Sequence, residues 1–220
     1  MGIKFFHFLN TMLYPPRCPG CNGLLRPQQH WCHACKRKWG DGRRLQRQGN
    51  IRFLDAIYCV ASYRGPVGKG LRDLKYGAHS GQDDPWRELL SSFPWTKRLQ
   101  THHGVVPVPL AWEKKEIRGF NQTEILFRSW ARHMELPWLD ILQRVRPTAG
   151  QYALTSQERY DNIKNAFAIK GNCASMVKGR HIIVVDDIYT TGATLDGCAR
   201  VLKKHGAAMI TGLVMASDAR

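Results

Sequence analysis

The sequence predicts an α/β fold with a parallel sheet, preceded by a small four-cysteine module. Apolar, strand-like segments alternate with amphipathic, helix-like segments after residue 50 of the 220-residue chain. One of them, IIVV from Ile182, is apolar throughout, which is typical of a parallel strand covered on both faces. Four cysteines with the spacing of metal ligands lie ahead of this region. We therefore predict a module in residues 1–45 and one α/β domain in residues 51–220.

The predicted elements of the α/β domain follow one another in a regular order. The strand-like segments are 56–63, 105–110, 182–185 and 209–216. The helix-like segments are 67–77, 84–90, a segment with Phe120, Ile125, Leu126 and Trp130 on its apolar side, and 194–205. Two prolines in VVPVPL exclude its last residues from a regular central strand, because proline cannot donate to the ladder. The segment 67–77 also carries a basic stripe, either a solvated face or a functional one: Lys69, Arg72 and Lys75.

The first 13 residues are predicted to form a short helix that docks on the rest of the protein. His7 and Asn10 interrupt its apolar patch, and no A-x-A cleavage site follows, so a signal peptide is not indicated. The sequence has no run of roughly 20 apolar residues, the length that a membrane span requires. We therefore predict a cytoplasmic protein without a membrane span.

The charge of the chain is strongly positive and unevenly distributed. The net charge is +16, and residues 1–50 hold nine Lys or Arg and a single acid, Asp41. A field of this kind attracts polyanions, of which nucleic acid is the most common. The alternatives are that the charge serves solubility or attracts a small phosphorylated ligand.

The four N-terminal cysteines follow the spacing C-x2-C-x10-C-x2-C: Cys18, Cys21, Cys32 and Cys35. This spacing is typical of a structural zinc ribbon or knuckle, because each C-x2-C pair wraps one side of a tetrahedral ion. Disulfides fit an intracellular chain poorly, and two adjacent pairs favour a metal over a redox site. A segment this small also needs a metal to fold. The basic stretch 40–50 after it is predicted to be a linker, and Cys59, Cys173 and Cys198 are predicted to be small apolar fillers.

The stretch WCHACKRKW combines aromatic rings with positive charge around the second cysteine pair. Trp31 and Trp39 flank Lys36, Arg37 and Lys38. Stacking rings next to cations are typical of single-stranded DNA binding. The alternative is that the rings pack on the metal-binding turn.

The stretch VVDDIYTTGATL, residues 184–195, indicates a site for a phosphorylated sugar. Asp186 and Asp187 follow a buried strand and are predicted to emerge at its carboxyl end, where open α/β sheets bind ligands. Residues 190–194 then lead into a helix N-terminus, whose N–H groups and dipole favour an anion. The acids suit hydroxyl groups and the loop suits a phosphate. The stretch is neither a Walker A loop nor a G-x-G-x-x-G turn.

Four motifs together resemble a known family. DDIYTTGAT resembles the phosphoribosyl-pyrophosphate (PRPP) signature of type I phosphoribosyltransferases. Together with VPVPL and RGFNQ, the stretch RVRPTAGQYALTSQERYDNIKNAF and the four-cysteine module, it is similar to the ComF/GntX family. Such proteins are associated with DNA uptake for transformation or with the use of external DNA as a nutrient. The resemblance implies a type I phosphoribosyltransferase-like parallel sheet.

The resemblance also implies roles for individual residues. Asp186 and Asp187 would contact the ribose hydroxyls of PRPP, with Mg²⁺ bridging its pyrophosphate. The 5′-phosphate would lie on Thr190, Thr191, Gly192, Ala193 and Thr194. The turn after Leu110 would be the pyrophosphate loop, and residues 145–168 a hairpin that covers the site. Thr190 replaces an acid that purine-salvage relatives use on the base, which puts such a reaction in doubt.

Further candidates flank these motifs. Arg118 is predicted to bind the pyrophosphate bidentately. The segment 111–117 lacks the arginine expected there, for which Lys114 or Lys115 would substitute. Three pairs of alternatives stay open: Asn121 and Gln122 bind ligand or fix a turn, Arg159 and Asn162 act in the hairpin or only form surface contacts, and Tyr189 stacks on ligand or packs under the loop.

Two classes of function are compatible with these predictions. The first is a PRPP-binding protein of DNA uptake or utilisation, with single-stranded DNA and proteins of the uptake machinery as partners. The second is an active phosphoribosyltransferase with an unidentified acceptor, in which the zinc module serves only structure or protein docking.

Overall fold

The computed structural model describes residues 15–47, 51–75, 83–110, 116, 119–146, 155, 158, 162, 163 and 165–219. Several predictions fall outside these residues: the N-terminal helix, Lys114, Lys115, Arg118 and Arg159. Among the described residues, no helix is both long enough and apolar enough to span a bilayer.

The main sheet has five strands in the order β1-β2-β7-β6-β3. The strands are β1 (Arg43–Arg44), β2 (Ala56–Ser62), β3 (Gly104–Pro107), β6 (His181–Tyr189) and β7 (Met209–Ser217). The pairings β2–β7, β7–β6 and β6–β3 are parallel, and β1 is antiparallel to β2. The predicted parallel sheet is therefore confirmed, with a two-residue antiparallel strand added at one edge.

Helices cover both faces of this sheet. They are α1 (His33–Trp39), α2 (Gly65–Lys75), α3 (Asp83–Ser91), α4 (Thr96–Leu99), α5 (Gln122–His133) and α6 (Ala193–Lys204), with a 3₁₀ turn at Cys173–Met176. The apolar sides of α2, α3 and α5 form one buried cluster, to which Leu71, Leu89 and Phe127 belong. The apolar side of α6 forms a second cluster on the other face. This two-layer covering explains why strand β2 and residues 182–185 of β6 are apolar without alternation.

Strand β6 is longer than predicted, and this changes the location of the two acids. We predicted a strand over 182–185 with Asp186 and Asp187 beyond its end, but β6 continues to Tyr189. Asp186 pairs with Val214 of β7, so the acids lie within the strand. The apolar pattern missed this extension because backbone pairing with β7 continues beyond residue 185, where the continuous burial of side chains stops.

The end of strand β3 confirms the prediction that the last residues of VVPVPL do not belong to a regular strand. Strand β3 ends at Pro107, whose pairing partner is Val185, and the N–H of Val108 adds one bond to the carbonyl oxygen of Val185 at 3.0 Å. Proline is tolerated here because β3 is an edge strand. Within the described residues, strand β6 therefore pairs beyond Val185 with β7 on one side only, because β3 has already ended on the other side.

The cysteine-containing segment packs directly on the α/β domain. Trp31, Cys18 and Cys35 belong to the same buried cluster as helices α2, α3 and α5. Glu88 of α3 accepts a hydrogen bond from the N–H of His30 (2.9 Å) and forms an ion pair with Lys36 (3.1 Å).

The predicted linker 40–50 is wrong for its first part. Arg43–Arg44 forms β1, and the Arg43 guanidinium donates to the carbonyl oxygens of Ser217 and Ala219. Leu45 is buried, with 3% of its surface exposed. The polar, glycine-punctuated composition gave no sign of this strand because two residues carry no periodicity.

A second, two-stranded sheet packs over α6. Strands β4 (Leu142–Arg144) and β5 (Phe167–Ile169) pair antiparallel and form the described base of the predicted hairpin 145–168. Phe167 and Ile163 lie against Gly197 of α6, where a Cβ would stand 2.7 Å from Ile163 Cγ2. Arg200 of the same helix donates to Asn165 at 2.5 Å.

Candidate functional site

Two carboxylates stand at the carboxyl edge of the sheet. Asp186 and Asp187 are both half-buried and lie just past the end of β3. The Oδ1 atom of Asp186 accepts from the N–H of Asp187 (2.9 Å), and that of Asp187 accepts from the N–H of Ile188 (2.8 Å). These bonds fix the orientation of each carboxylate against its own strand. The edge therefore presents two adjacent acids on a rigid support.

The loop after β6 requires glycine at one position for two independent reasons. Gly192 has φ +77°, a left-handed conformation that other residues rarely adopt. A Cβ there would also stand 2.6 Å from Tyr189 Cε2 and 2.8 Å from Ile51 Cδ1. The tight packing beneath the loop thus excludes any side chain at residue 192.

Helix α6 starts directly after this glycine. The carbonyl oxygen of Gly192 accepts from the N–H of Asp196 (2.9 Å), and Thr191 Oγ1 accepts from the N–H of Ala193 at 3.5 Å. Thr190 is exposed, Thr191 and Thr194 are half-buried, and Ala193 is buried. The threonines therefore line the accessible side of a turn that ends in the N-terminus of a 12-residue helix.

Tyr189 packs under the loop and does not stack on a ligand. Only 3% of its surface is exposed. Burial, followed by the charge of Asp196, raises the pKa of its phenol. Of the two alternatives for Tyr189, the structure selects packing.

Asp196 is a residue that the sequence analysis missed. Its side chain is 1% exposed, and its Oδ1 accepts hydrogen bonds from the backbone N–H groups of Arg52 (3.0 Å) and Phe53 (2.8 Å). Burial raises the pKa of Asp196, and the backbone N–H groups of Phe53, Arg52 and Leu54 partly offset that rise. The available signal was an acid on the otherwise apolar side of α6, next to Leu195 and Ala199.

Asn121 and Gln122 lie at the start of helix α5, on the β3 side of the site. Asn121 is the N-cap of α5, where its Oδ1 accepts from the N–H of Thr123 (3.1 Å). Its Nδ2 donates to the carbonyl oxygen of Val108 (3.2 Å), which ties the helix start to the end of β3. Gln122 is 3% exposed. For Asn121 the structural alternative therefore holds.

The four cysteines come together as predicted. Their sulfur atoms all lie within 4.8 Å of one another, and those of Cys21 and Cys32 are 3.8 Å apart. Tetrahedral zinc with bonds of about 2.3 Å places its sulfurs about 3.8 Å apart. The cluster could therefore hold a metal ion, with Cys18 and Cys35 on its buried side and Cys21 exposed.

Backbone groups favour the thiolate form at one of these cysteines. Burial alone would raise the pKa of Cys18, but N–H groups of Cys32, Gly20 and Cys21 outweigh it and lower the pKa to about 7. Burial, together with the neighbouring thiols, raises the pKa of Cys35 to about 12. Cys59 and Cys198 are fully buried, as predicted for apolar fillers, whereas Cys173 is half-exposed.

The aromatic residues of WCHACKRKW contribute mainly to packing. Trp31 is 3% exposed and its indole N–H donates to the carbonyl oxygen of Pro85 at 3.1 Å, so of the two alternatives for this ring the structure selects packing. Trp39 is half-buried against Gly65, and the Lys38 ammonium lies 5.1 Å from its ring centroid. Arg37 and Lys38 are exposed. The accessible features of this surface are thus two cations and part of one ring.

Comparison with known proteins identifies the family. The model of the phosphoribosyl transferase domain matches residues 124–220. The DNA utilization protein YhgH of Escherichia coli K12 is 32% identical over 200 residues, covering 88% of this chain and 80% of that protein. The chain belongs to the ComF family. Competence protein F of Haemophilus influenzae is 34% identical over 196 residues (87% and 80% covered), and competence protein ComFC of Bacillus subtilis 34% over 107 residues (49% and 41%).

Membership of the ComF family agrees with the arrangement at the carboxyl edge. The phosphoribosyl transferase match includes the acids, the loop and helix α6. The structure brings Asp186, Asp187 and the loop 190–194 together between the end of strand β6 and the start of helix α6.

In the predicted hairpin, the guanidinium of Arg146 donates to the carbonyl oxygen of Asn162 at 2.9 Å.

Proposed function

We propose that this ComF-family protein binds PRPP at the carboxyl edge of its sheet and acts in the uptake or utilisation of external DNA. The observation that carries the proposal is the succession Asp186, Asp187 and Gly192. It sets two acids beside a left-handed glycine that opens a helix N-terminus. The printed names of the relatives, DNA utilization protein and competence protein, support the biological role.

The parts of PRPP correspond to different parts of this edge. The 5′-phosphate would lie on Thr190, Thr191 and Thr194 and on the backbone N–H groups at the start of α6. The ribose hydroxyls would donate to Asp186 and Asp187. Arg118 would bind the pyrophosphate, and Mg²⁺, when bound with PRPP, supplies neutralisation of the pyrophosphate charge.

Zinc is the metal that we propose for the cysteine cluster. Four thiolates at tetrahedral spacing are the ligand set typical of structural zinc, and a closed four-ligand site leaves no position for a substrate. Trp31 and the ion pair between Lys36 and Glu88 connect this site to α3. The zinc site would therefore brace the α/β domain as well as its own module.

Single-stranded DNA is the partner proposed for the basic surface next to the zinc site. Arg37 and Lys38 are exposed there, and the exposed part of Trp39 lies beside them. Lys36 was predicted to take part, but its ammonium pairs with Glu88. DNA binding would thus rely on Arg37 and Lys38 for charge and on Trp39 for limited stacking. Proteins of the DNA-uptake machinery are further proposed partners.

An active phosphoribosyltransferase with an unidentified acceptor is the second candidate. It is favoured by the same phosphate loop and acids, since these residues would bind PRPP in either case. Thr190 stands where a base-directed acid would be, which argues against a purine acceptor. The test is incubation of the purified protein with PRPP, Mg²⁺ and candidate acceptors, including single-stranded DNA. Release of pyrophosphate that depends on Asp186 and Asp187 would establish an enzyme, whereas binding without release would establish a sensor.

A further inference from the structure

The segment before β2 lies against the phosphate loop, although 144 residues separate Arg52 from Asp196. Ile51 Cδ1 stands 2.8 Å from the point that a Cβ on Gly192 would occupy. One residue later, the N–H of Arg52 donates to Asp196 in the first turn of α6. The two segments are therefore connected at the loop and again just below it.

The carboxylate that makes this connection is costly for the fold. Asp196 is 1% exposed, and within the described part of the chain its Oδ2 atom has no hydrogen-bond partner. A buried acceptor without a partner lowers stability, and a carboxylate does so more than a neutral group. The compensation visible in the structure is that Asp196 fixes the backbone of Arg52 and Phe53.

This fixation directs the Arg52 side chain outward beside the helix start. Ile51 and Leu54 are buried, whereas Arg52 is exposed. Because the N–H of Arg52 donates to Asp196 at 3.0 Å, the Arg52 backbone lies beside the first turn of α6. One helical turn rises about 5.4 Å, a distance that an arginine side chain can span. The guanidinium is thus within reach of a group bound at the helix N-terminus.

A buried polar group also lies directly beneath the loop. The Tyr189 hydroxyl is buried and unpartnered among the residues that the structure describes, and it points at Gly192 from below, 2.9 Å from the Cβ position. Buried hydroxyl groups are normally paired. Among the described residues, the hydrogen bonding beneath the loop is therefore incomplete.

We propose that Arg52 is a further ligand of the 5′-phosphate and that Asp196 is the positioning residue that holds it at the loop. The proposal rests on the proposed binding of PRPP and deepens it by adding a cation to the phosphate end of the site. A phosphate dianion held only by N–H and O–H groups lacks a counter-charge, and a guanidinium supplies one with bidentate geometry.

The test is isothermal titration calorimetry with three probes: PRPP with Mg²⁺, ribose 5-phosphate, and pyrophosphate with Mg²⁺. Arg52→Gln should weaken binding of PRPP and of ribose 5-phosphate about tenfold, because it removes one charge-assisted contact. Binding of pyrophosphate should stay unchanged, because that end of the site is untouched. Arg44→Gln is the matched control: it removes the same charge from an exposed arginine of β1 and should bind all three probes as the wild type does.

The positioning role of Asp196 is tested by a double-variant comparison. Asp196→Asn keeps an oxygen that accepts from both N–H groups and should retain most of the affinity for ribose 5-phosphate. Asp196→Ala should lose about as much as Arg52→Gln, and the double variant Arg52→Gln with Asp196→Ala should be no worse than Asp196→Ala alone. Thermal unfolding of each variant identifies any that fails to fold, and Asp196→Asn then carries the test.

Two results would overturn the inference separately from the proposed function. If the wild-type protein binds PRPP and Arg52→Gln binds it equally well, Arg52 is not a phosphate ligand and only this inference fails. If losses from Arg52→Gln and Asp196→Ala add fully, Asp196 does not act through Arg52. If the wild-type protein binds neither PRPP nor ribose 5-phosphate, the proposed function fails and this inference with it.

Discussion

The indole N–H of Trp31 donates a hydrogen bond to the carbonyl oxygen of Pro85, at 3.1 Å. This bond connects the cysteine-containing segment with the first turn of α3, and Trp31 belongs to the same buried cluster as Trp86 and Leu89 of that helix. Loss of the metal from the four cysteines should therefore affect the α/β domain as well as the module.

The first prediction concerns the metal. Purified protein should contain about one zinc ion per chain, and Cys32→Ser should lose it. Because Cys18, Cys35 and Trp31 pack with α3, we expect the variant to stay folded but to melt at least about 5 °C lower. Elemental analysis and thermal unfolding measure both effects. Cys173→Ser, outside the cluster, should keep the zinc and the melting temperature; wild-type protein that holds no zinc when purified without chelator would refute the assignment.

The second prediction concerns DNA and salt. Arg37→Ala with Lys38→Ala should flatten the slope of log K against log[salt] for single-stranded DNA by about 1.4 units, at about 0.7 per phosphate contact. Adding Lys36→Ala should change the slope little further, because that ammonium pairs with Glu88. Fluorescence anisotropy over a salt series gives the slopes.

The matched control for DNA binding is Lys97→Ala with Arg98→Ala, which removes an exposed Lys-Arg pair from α4. It should retain the wild-type slope. An unchanged slope in the Arg37 and Lys38 variant would reject DNA contact by this surface and favour a protein partner for the module.

The third prediction concerns pH. His102 is 7% exposed, its Nδ1 lies 3.1 Å from the carbonyl oxygen of Leu99, and its Nε2 lies 2.9 Å from Thr211 Oγ1. Burial lowers the pKa of His102 from 6.5 to about 4. Between these pH values the His102 imidazole is protonated in the unfolded chain but neutral in the folded protein. The free energy of unfolding is therefore highest above pH 6.5 and decreases as the pH falls toward 4.

This linkage should lower the free energy of unfolding by about 1.6 kcal/mol between pH 6.5 and pH 5. Urea unfolding at several pH values measures it. His102→Gln should remove most of the dependence in this window, whereas His133→Gln, exposed at the end of α5, should leave it unchanged. A wild-type protein equally stable at pH 6.5 and pH 5 would disprove the assignment to His102.

The fourth prediction concerns the loop glycine. Gly192→Ala should lower stability by about 1–3 kcal/mol, because it imposes a left-handed conformation on alanine and collides with Tyr189 and Ile51. PRPP binding should be lost with it. Gly179→Ala separates the two causes, since Gly179 also has positive φ (+70°) but open space around its Cβ position. A Gly192→Ala protein with wild-type stability would contradict the described packing of the loop.

The sequence predicted those parts of the site that lie close together along the chain. Asp186, Asp187 and the loop to Thr194 form one continuous stretch, so residue order alone indicated acids beside a phosphate loop. The contact of Asp196 with Arg52 joins residues 144 positions apart, and no local pattern encodes such a pairing. The two alternatives for Trp31 stayed open because a tryptophan beside cations has the same pattern whether its ring is buried or exposed. The extent of β6 was misjudged because pairing with β7 continues past the apolar run.

Binding of PRPP is the central claim, and titration calorimetry of the Asp186→Asn, Asp187→Asn double variant with PRPP and Mg²⁺ tests it most directly. The wild-type protein should bind, and the double variant should bind at least about a hundredfold more weakly, because two charge-assisted contacts to the ribose are lost. The double variant Asp73→Asn with Asp140→Asn, which removes two exposed acids elsewhere, should bind as the wild type does. A wild-type protein without affinity for PRPP, or a double variant at Asp186 and Asp187 with undiminished affinity, would contradict the account.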